Sequence, residues 1–352
     1  MTPDLAAFIA EDFERIGNPV LERAVAIDGR RLVLSGATGF FGKNLLALLA
    51  HLHDRGARFE VSGISRDPAR FFAAAPWAEK LPWLTLHRAD ARGPWPIQSP
   101  HELLLHAATE THASVHQDPQ AVFDDIVAGT RQALACAARC GVQRLLLAGS
   151  GAQYGAIVPA ADGCGVSEAS REACDPLQPD SAYGEGKRVA ELLAALHAKA
   201  HGAAVIATRC FAFAGPGLPI DAHYAIGNFI GDAVAGRPIR LSSAGTAMRS
   251  YLYSADLALW LLLALLEAPG GSTLNIGGDE ATSVKALAKR VRDRVAPGVE
   301  VIPGPARPDE LRSYYVPSVE RARAIGLEVW TPLDLAITRS AQWCRLAAVP
   351  GS

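Results

Sequence analysis

Apolar residues at Leu5, Phe8, Ile9, Phe13 and Ile16 recur at helical spacing, so an amphipathic helix precedes the main fold. A turn at Asp28-Gly29 then launches RLVLS, an apolar strand ending at Ser35. From there short apolar runs alternate with longer amphipathic stretches. Strands are expected at Phe59–Ile64, Trp83–His87, Glu102–Ala107, Gln143–Ala148 and Ala203–Thr208, and helices at Phe41–Leu52, Pro119–Ala138 and Tyr183–Ala200. Short, continuously apolar strands separated by helices imply an α/β fold whose doubly wound parallel sheet is covered on both faces. Beyond Gly215-Pro216 the elements shorten and Pro and Gly become more frequent. That break implies a smaller α/β lobe over the C-terminal ends of the strands, where ligands bind in such sheets. The expected division is a helical extension over 1–29, a dinucleotide-type domain over 30–209 and about 246–268, and a substrate lobe over about 210–245 and 269–350.

Composition narrows the function classes. The chain has 352 residues, 49% of them hydrophobic and 20% charged, as in a soluble globular protein with a substantial core. A net charge of −2 builds no basic field for nucleic acid or an anionic membrane. The first residues, MTPDLAAFIAEDF, carry acids and no basic stretch, unlike a secretory signal. The longest apolar run, Leu257 to Leu266, is half a membrane span and reads as a buried helix following Asp256. Among the six cysteines, Cys136 and Cys140 lie one helical turn apart, but no Cys/His cluster completes a metal site. All six are expected to be reduced packing residues in a cytoplasmic protein.

Candidate chemistry starts at GATGFFG, which sets Gly36, Gly39 and Gly42 between the first strand and the first helix. Glycines there allow a tight turn and close approach of the backbone to a pyrophosphate, and the helix N-terminus offers free N–H groups. The spacing is G-x-x-G-x-x-G, not the G-x-G-x-x-G of the commonest fingerprint. Past the second strand stand Ser65 and Arg66, a hydroxyl and a guanidinium that suit a 2′-phosphate, so NADP(H) is favoured with NAD(H) as the alternative. Asp67 is either the acid that would hold ribose hydroxyls or a turn residue before Pro68. Asp90, after the third strand, is either an adenine contact or a plain loop acid.

Tyr183 and Lys187, in SAYGEGK, are four apart on one helix face. With seven Tyr and six Lys, chance predicts roughly 0.1 such pairs, so the spacing is informative. A free phenol, with a pKa near ~10, is a poor acid–base at neutral pH, and a neighbouring ammonium is expected to lower it. Upstream, LLLAGSGAQYG puts Ser150 at the carboxyl end of a strand.

Taken in order, GATGFFG, LHAATET, GSGAQYG, SAYGEGK, RCFAFAGP, MRSYLYSAD and LNIGG make the chain, from about Arg31 to Trp343, resemble the extended short-chain dehydrogenase/reductase family of nucleotide-sugar epimerases, dehydratases and reductases. The resemblance implies a modified Rossmann fold. It also implies that Ser150 hydrogen-bonds the reacting oxygen, that Tyr183 is the acid–base, and that Lys187 holds the nicotinamide ribose. Thr38, Phe40, Phe41, Ala107, Ala108 and Thr109 join the glycines, Ser65, Arg66 and Asp90 as cofactor contacts. Arg249 and Arg307 match diphosphate contacts, and Asn228 lines the same pocket. His223 and Tyr224 fall near the sugar, and His112 and His116 near the mouth of the site. Two helices, matching Pro119–Ala138 and Tyr183–Ala200, form a homodimer bundle in many members.

The departures are informative. Family 4,6-dehydratases carry Asp-Glu directly after the Ser/Thr, and decarboxylases carry the Glu; here these positions are Gly151 and Ala152. The usual Asn residues of two further motifs are Ala212 and Ile126. What remains is hydride transfer on a nucleoside-diphosphate sugar, with a 4-keto-sugar reductase first and an NAD-retaining epimerase second. A dehydratase or decarboxylase with relocated acids and a non-catalytic dinucleotide sensor rank lower.

Overall fold

The computed structural model describes residues 3–109, 118–157, 165–220, 224–306 and 313–348. The N-terminal extension is two helices, α1 (Leu5–Ile16) and α2 (Asn18–Ala24). The first half of the core then runs β1 (Arg31–Ser35), α3 (Phe40–Asp54), β2 (Glu60–Ser65), α4 (Pro68–Ala74), α5 (Pro76–Glu79), β3 (Leu84–Arg88) and β4 (Leu103–His106). It continues through α6 (Pro119–Cys140), β5 (Arg144–Ala148), α7 (Ala182–His201), β6 (Ala204–Cys210) and β7 (Phe213–Ala214). The C-terminal part comprises α8 (Ala225–Val234), β8 (Ile239–Arg240), β9 (Met248–Arg249), β10 (Leu252–Tyr253) and α9 (Ser254–Glu267). It ends with β11 (Thr273–Ile276), β12 (Thr282–Ser283), α10 (Val284–Val295), β13 (Val301–Ile302), β14 (Tyr314–Tyr315), α11 (Glu320–Ala324) and α12 (Leu333–Ala348).

Seven strands form one parallel sheet in the order β11-β6-β5-β4-β1-β2-β3. The chain winds outwards from β1 to β3, then returns to place β4 on the other side of β1. That reversal opens a crevice at the carboxyl ends of β1 and β4, the place where such sheets bind ligands. The central strands β1, β4 and β5 are buried because helices cover both faces, which is why they read as nearly unbroken apolar runs, whereas the edge strand β3 is partly exposed. Thr273–Ile276, expected in the smaller lobe, is instead the edge strand β11, paired with β6. The remaining strands are two-residue pieces in three small sheets, β10-β7, β12-β9-β14 and β13-β8.

The Leu257–Leu266 run lies within α9, which is buried along nearly its whole length. Among the described residues no helix is long and apolar enough to cross a membrane. The α1 helix packs on α3 and α9 and carries a buried carboxylate, Asp12. Asp12 accepts hydrogen bonds from Tyr253 Oη (2.8 Å) and Arg15 Nη2 (2.9 Å) and pairs with Arg339 of α12 (2.9 Å). Arg339 also pairs with Glu11 (3.2 Å) and donates to the Phe8 carbonyl (2.7 Å), so the extension is tied to the C-terminal helix through that guanidinium, with Asp12 its buried acid. The five described cysteines are free thiols; Cys164 lies outside the described residues.

Candidate active site

The turn after β1 is built for close approach. Gly36 has φ +76°, and a Cβ there would fall 2.7 Å from the Ala107 carbonyl group. A Cβ on Gly42 would fall 2.3 Å from the Gly36 oxygen. Gly39 is different: a Cβ there would meet only the Gly36 oxygen, at 3.4 Å. The protein's own packing leaves Gly39 open, so the space it keeps clear faces outwards at the first turn of α3. That turn has no side-chain cap, which leaves the first N–H groups of α3 without a side-chain acceptor, the arrangement in which helix N-termini bind anions. An anionic pyrophosphate fits this cradle. Thr38 lies within the turn, and the rings of Phe40 and Phe41 pack on Phe213 of β7, centroids 6.5 and 5.1 Å away.

At the end of β2, Ser65 is buried and its hydroxyl accepts from the Asp67 N–H (3.2 Å). Asp67 is the N-cap of α4, accepting from Arg70 N at 3.1 Å. Arg66 is exposed at the same rim. Asp90 is committed to Arg92, whose guanidinium bonds it at 2.8 and 3.0 Å, and these bonds hold its carboxyl down at about 2.

At the carboxyl end of β4, Ala107 takes its backbone bond from β1 and Ala108 N donates to Ser35 Oγ (3.4 Å). His106 Nδ1 and Ser35 Oγ, 2.6 Å apart, lock the two strand ends together, and burial holds His106 down at about 3. Thr109 Oγ1 donates to the Ala108 carbonyl (2.9 Å) and accepts from Lys187 Nζ (2.8 Å). Lys187 Nζ also donates to the Ala148 carbonyl (2.9 Å). The ammonium is thus pinned between the ends of β4 and β5, and burial lowers it to about 8.

Ser150, buried just past β5, accepts from Ala152 N (3.1 Å) and hydrogen-bonds Tyr183. Gly184 lets α7 lie close enough for this: a Cβ there would fall 2.8 Å from the Ala152 oxygen. The structure therefore brings Ser150, Tyr183 and Lys187 together. In one respect it departs from the sequence expectation. Tyr183 is pushed up to about 12, not down, because burial outweighs the bond from Ser150. The ammonium stands 5.9 Å from the phenol ring centroid and is itself desolvated.

The substrate side is partly described. Asn228, on α8, has a buried Oδ1 with no hydrogen-bond partner among the described residues, an acceptor left for a ligand donor. Arg249, on β9, uses Nη1 on the Met248 and Ser313 carbonyls (2.7 and 3.2 Å), which fixes its plane. Tyr224 precedes α8 and acts electrostatically on Tyr183. His112, His116, His223 and Arg307 lie outside the described residues.

Two features had no signal in the sequence. Tyr315, on β14, hydrogen-bonds Ser150 and reaches the Cys210 carbonyl (3.3 Å). Phe211 lays its ring over Gly151, where a Cβ would fall 2.8 Å from the ring. Among the described residues no group of three or more His, Cys, Asp or Glu could hold a metal ion.

The chain is 27% identical over 301 residues to UDP-glucuronic acid decarboxylase 5 of Arabidopsis thaliana, covering 84% of this chain and 83% of that protein. Its fold is similar to that of UDP-glucose 4-epimerase from Thermotoga maritima, with a TM-score of 0.74 at 18% identity over 90% of this chain and 98% of the other. It is equally similar to dTDP-glucose 4,6-dehydratase from Streptomyces venezuelae, solved with NAD bound, with a TM-score of 0.75 at 22% identity over 90% and 97%. Residues 32–277, most of the chain, match the family described as NAD dependent epimerase/dehydratase. With the parallel sheet, the glycine cradle and the Ser-Tyr-Lys cluster, that match makes this chain a member of the NAD dependent epimerase/dehydratase family, an enzyme of the extended short-chain dehydrogenase/reductase type.

Proposed function

We propose that the protein reduces the 4-keto group of a nucleoside-diphosphate sugar, with Tyr183 as acid, Ser150 as hydrogen-bond donor to the reacting oxygen and Lys187 as the ribose-holding cation. The observation that carries this reading is the pairing of an assembled Ser150–Tyr183–Lys187 cluster with the absence of any carboxyl at 151 and 152. The bound nicotinamide supplies the hydride. As negative charge develops on the substrate oxygen, Tyr183 gives it a proton and Ser150 stabilises it. A phenol held up at about 12 is protonated at neutral pH, which suits reduction, the direction that consumes a proton.

The decarboxylase names of the curated relatives do not transfer simply. Phe211 occupies the space into which a side chain at 151 would grow, and Ala152 has no titratable group. Arg249 and the orphan Asn228 oxygen support a diphosphate sugar as substrate. Exposed Arg66 supports NADP(H) over NAD(H), and the commitment of Asp67 and Asp90 to other partners supports the same preference. Leu192 and Leu196 are exposed on α7, 59% and 54%, which supports a homodimer through that helix.

The first test is to denature freshly purified protein and identify any released nucleotide by mass spectrometry. An empty site that then binds NADPH, and oxidises it when given a UDP- or dTDP-4-keto-hexose, is the expected result. Stoichiometric NAD would overturn the reductase reading in favour of an epimerase that returns the same hydride.

A further inference from the structure

Tyr315 comes from the far side of the site. It sits on β14, which runs parallel to β9 and pairs Tyr315 with Arg249 in register. Its ring is held between two neighbours: Phe211, with centroids 4.7 Å apart, and the Arg249 guanidinium, 5.7 Å from the ring centroid. Its hydroxyl reaches the Cys210 carbonyl at 3.3 Å, a long bond, and also lies within hydrogen-bonding reach of Ser150. Tyr183 hydrogen-bonds the same Ser150 from α7. Two phenols, one from each side of the crevice, therefore address one serine hydroxyl.

A serine hydroxyl has one proton to donate and two lone pairs to accept with. Polarising a reacting oxygen uses that proton. Ala152 N–H already fills one lone pair (3.1 Å); a second donor on the other lets the serine give its proton up more fully, because a chain of hydroxyls strengthens each bond in turn. We propose that Tyr315 is a positioning residue for Ser150: it donates its phenolic proton to the Ser150 oxygen when Ser150 turns its own proton towards the substrate oxygen. The change needs rotation of hydroxyl hydrogens only, and the bond surrendered, to the Cys210 carbonyl, is the weak one. Arg249 lies over the Tyr315 ring, so the residue expected to grip the diphosphate packs directly against the residue that orients Ser150. The inference rests on the proposed role of Ser150 in turnover, and its test has an arm that does not.

The independent arm uses protein with tyrosine labelled at Cζ with carbon-13, observed at neutral pH, with resonances assigned by single Phe substitutions. Ser150→Ala is expected to move both the Tyr183 and the Tyr315 resonances. A Tyr315 resonance that stays in place in Ser150→Ala would overturn the proposal whatever the substrate proves to be. The second arm is steady-state reduction of a UDP-4-keto-hexose by NADPH. Tyr315→Phe keeps the ring against Phe211 and Arg249. It is expected to lower kcat about five- to thirtyfold with KM within about twofold, the loss of one hydrogen bond felt in the transition state. In a Ser150→Ala background the same change is expected to cost nothing further. Losses that multiply in the double variant, or an unchanged kcat in Tyr315→Phe, would show that Tyr315 does not act through Ser150. If the wild-type enzyme turns over no 4-keto sugar, the reductase reading fails while the labelled-tyrosine result still decides the role of Tyr315.

Discussion

Replacing Asp12 with alanine tests whether the N-terminal extension belongs to the folded core. Asp12 is 1% exposed and receives Tyr253, Arg15 and Arg339. Removing one member of a buried charged set costs about 3–5 kcal/mol, because the partners keep their desolvation penalty without their bonds. Arg339 retains the Phe8 carbonyl (2.7 Å) and stands 4.0 Å over the Phe8 ring, so the lower end applies, about 3 kcal/mol. For a chain of this length the unfolding entropy is about 0.7 kcal/mol per degree, so the melting temperature should fall by about 4 °C. Differential scanning calorimetry measures this directly. Combining Asp12→Ala with Arg339→Met should cost less than the sum of the two single changes, since both remove the same ion pair. An Asp12→Ala protein that melts within about 1 °C of wild type would refute the reasoning that this acid ties α1 to α12.

Three further outcomes are expected. Burial raises Asp256 to about 6, against bonds from Thr331 that oppose the shift. The folded state therefore holds that proton more tightly than the unfolded state, and the contribution of Asp256 to stability falls as pH rises from about 4 to about 6. The difference in melting temperature between wild type and Asp256→Asn should shrink or reverse across that window and stay level above it; a flat difference throughout would contradict the shift. Lys187, lowered to about 8, should lose its charge as pH rises past that value, so dinucleotide affinity measured by fluorescence should weaken there. Lys187→Met should bind weakly at every pH, and a wild-type-like pH profile in that variant would count against the assignment. Gly151→Ala should cost about 1–3 kcal/mol in urea denaturation by pressing on Phe211, and Phe211→Leu should relieve most of it.

The parallel core was legible because its central strands β1, β4 and β5 are buried on both faces, so their residues are almost all apolar and their ends are marked by turns. The edge strand β11 escaped because TLNI is only four residues long and carries a buried Asn275, whose side chain serves the Val166 and Ser318 carbonyls. The smaller sheets escaped for a related reason: two-residue strands have no period to read. Tyr183, Lys187 and Ser150 could be found from spacing and motif because a helix and a strand end fix them locally. The environment of the phenol could not. Spacing gives the neighbour four residues away, whereas burial, which decides the direction of the Tyr183 shift, comes from elements distant in sequence. Tyr315 is the extreme case, since its place beside Ser150 depends on β14 pairing with β9.

The contact between Gly151 and Phe211 also constrains how this enzyme can change over generations. An acidic residue at 151 would restore a group used by dehydratases, yet its first carbon would already collide with the Phe211 ring. A side chain at 151 is better tolerated once residue 211 has become smaller. A smaller residue 211 also removes the ring that flanks Tyr315. A change that brings an acid to 151 is therefore easier after the aromatic has been lost than before, so the two positions are coupled rather than independent.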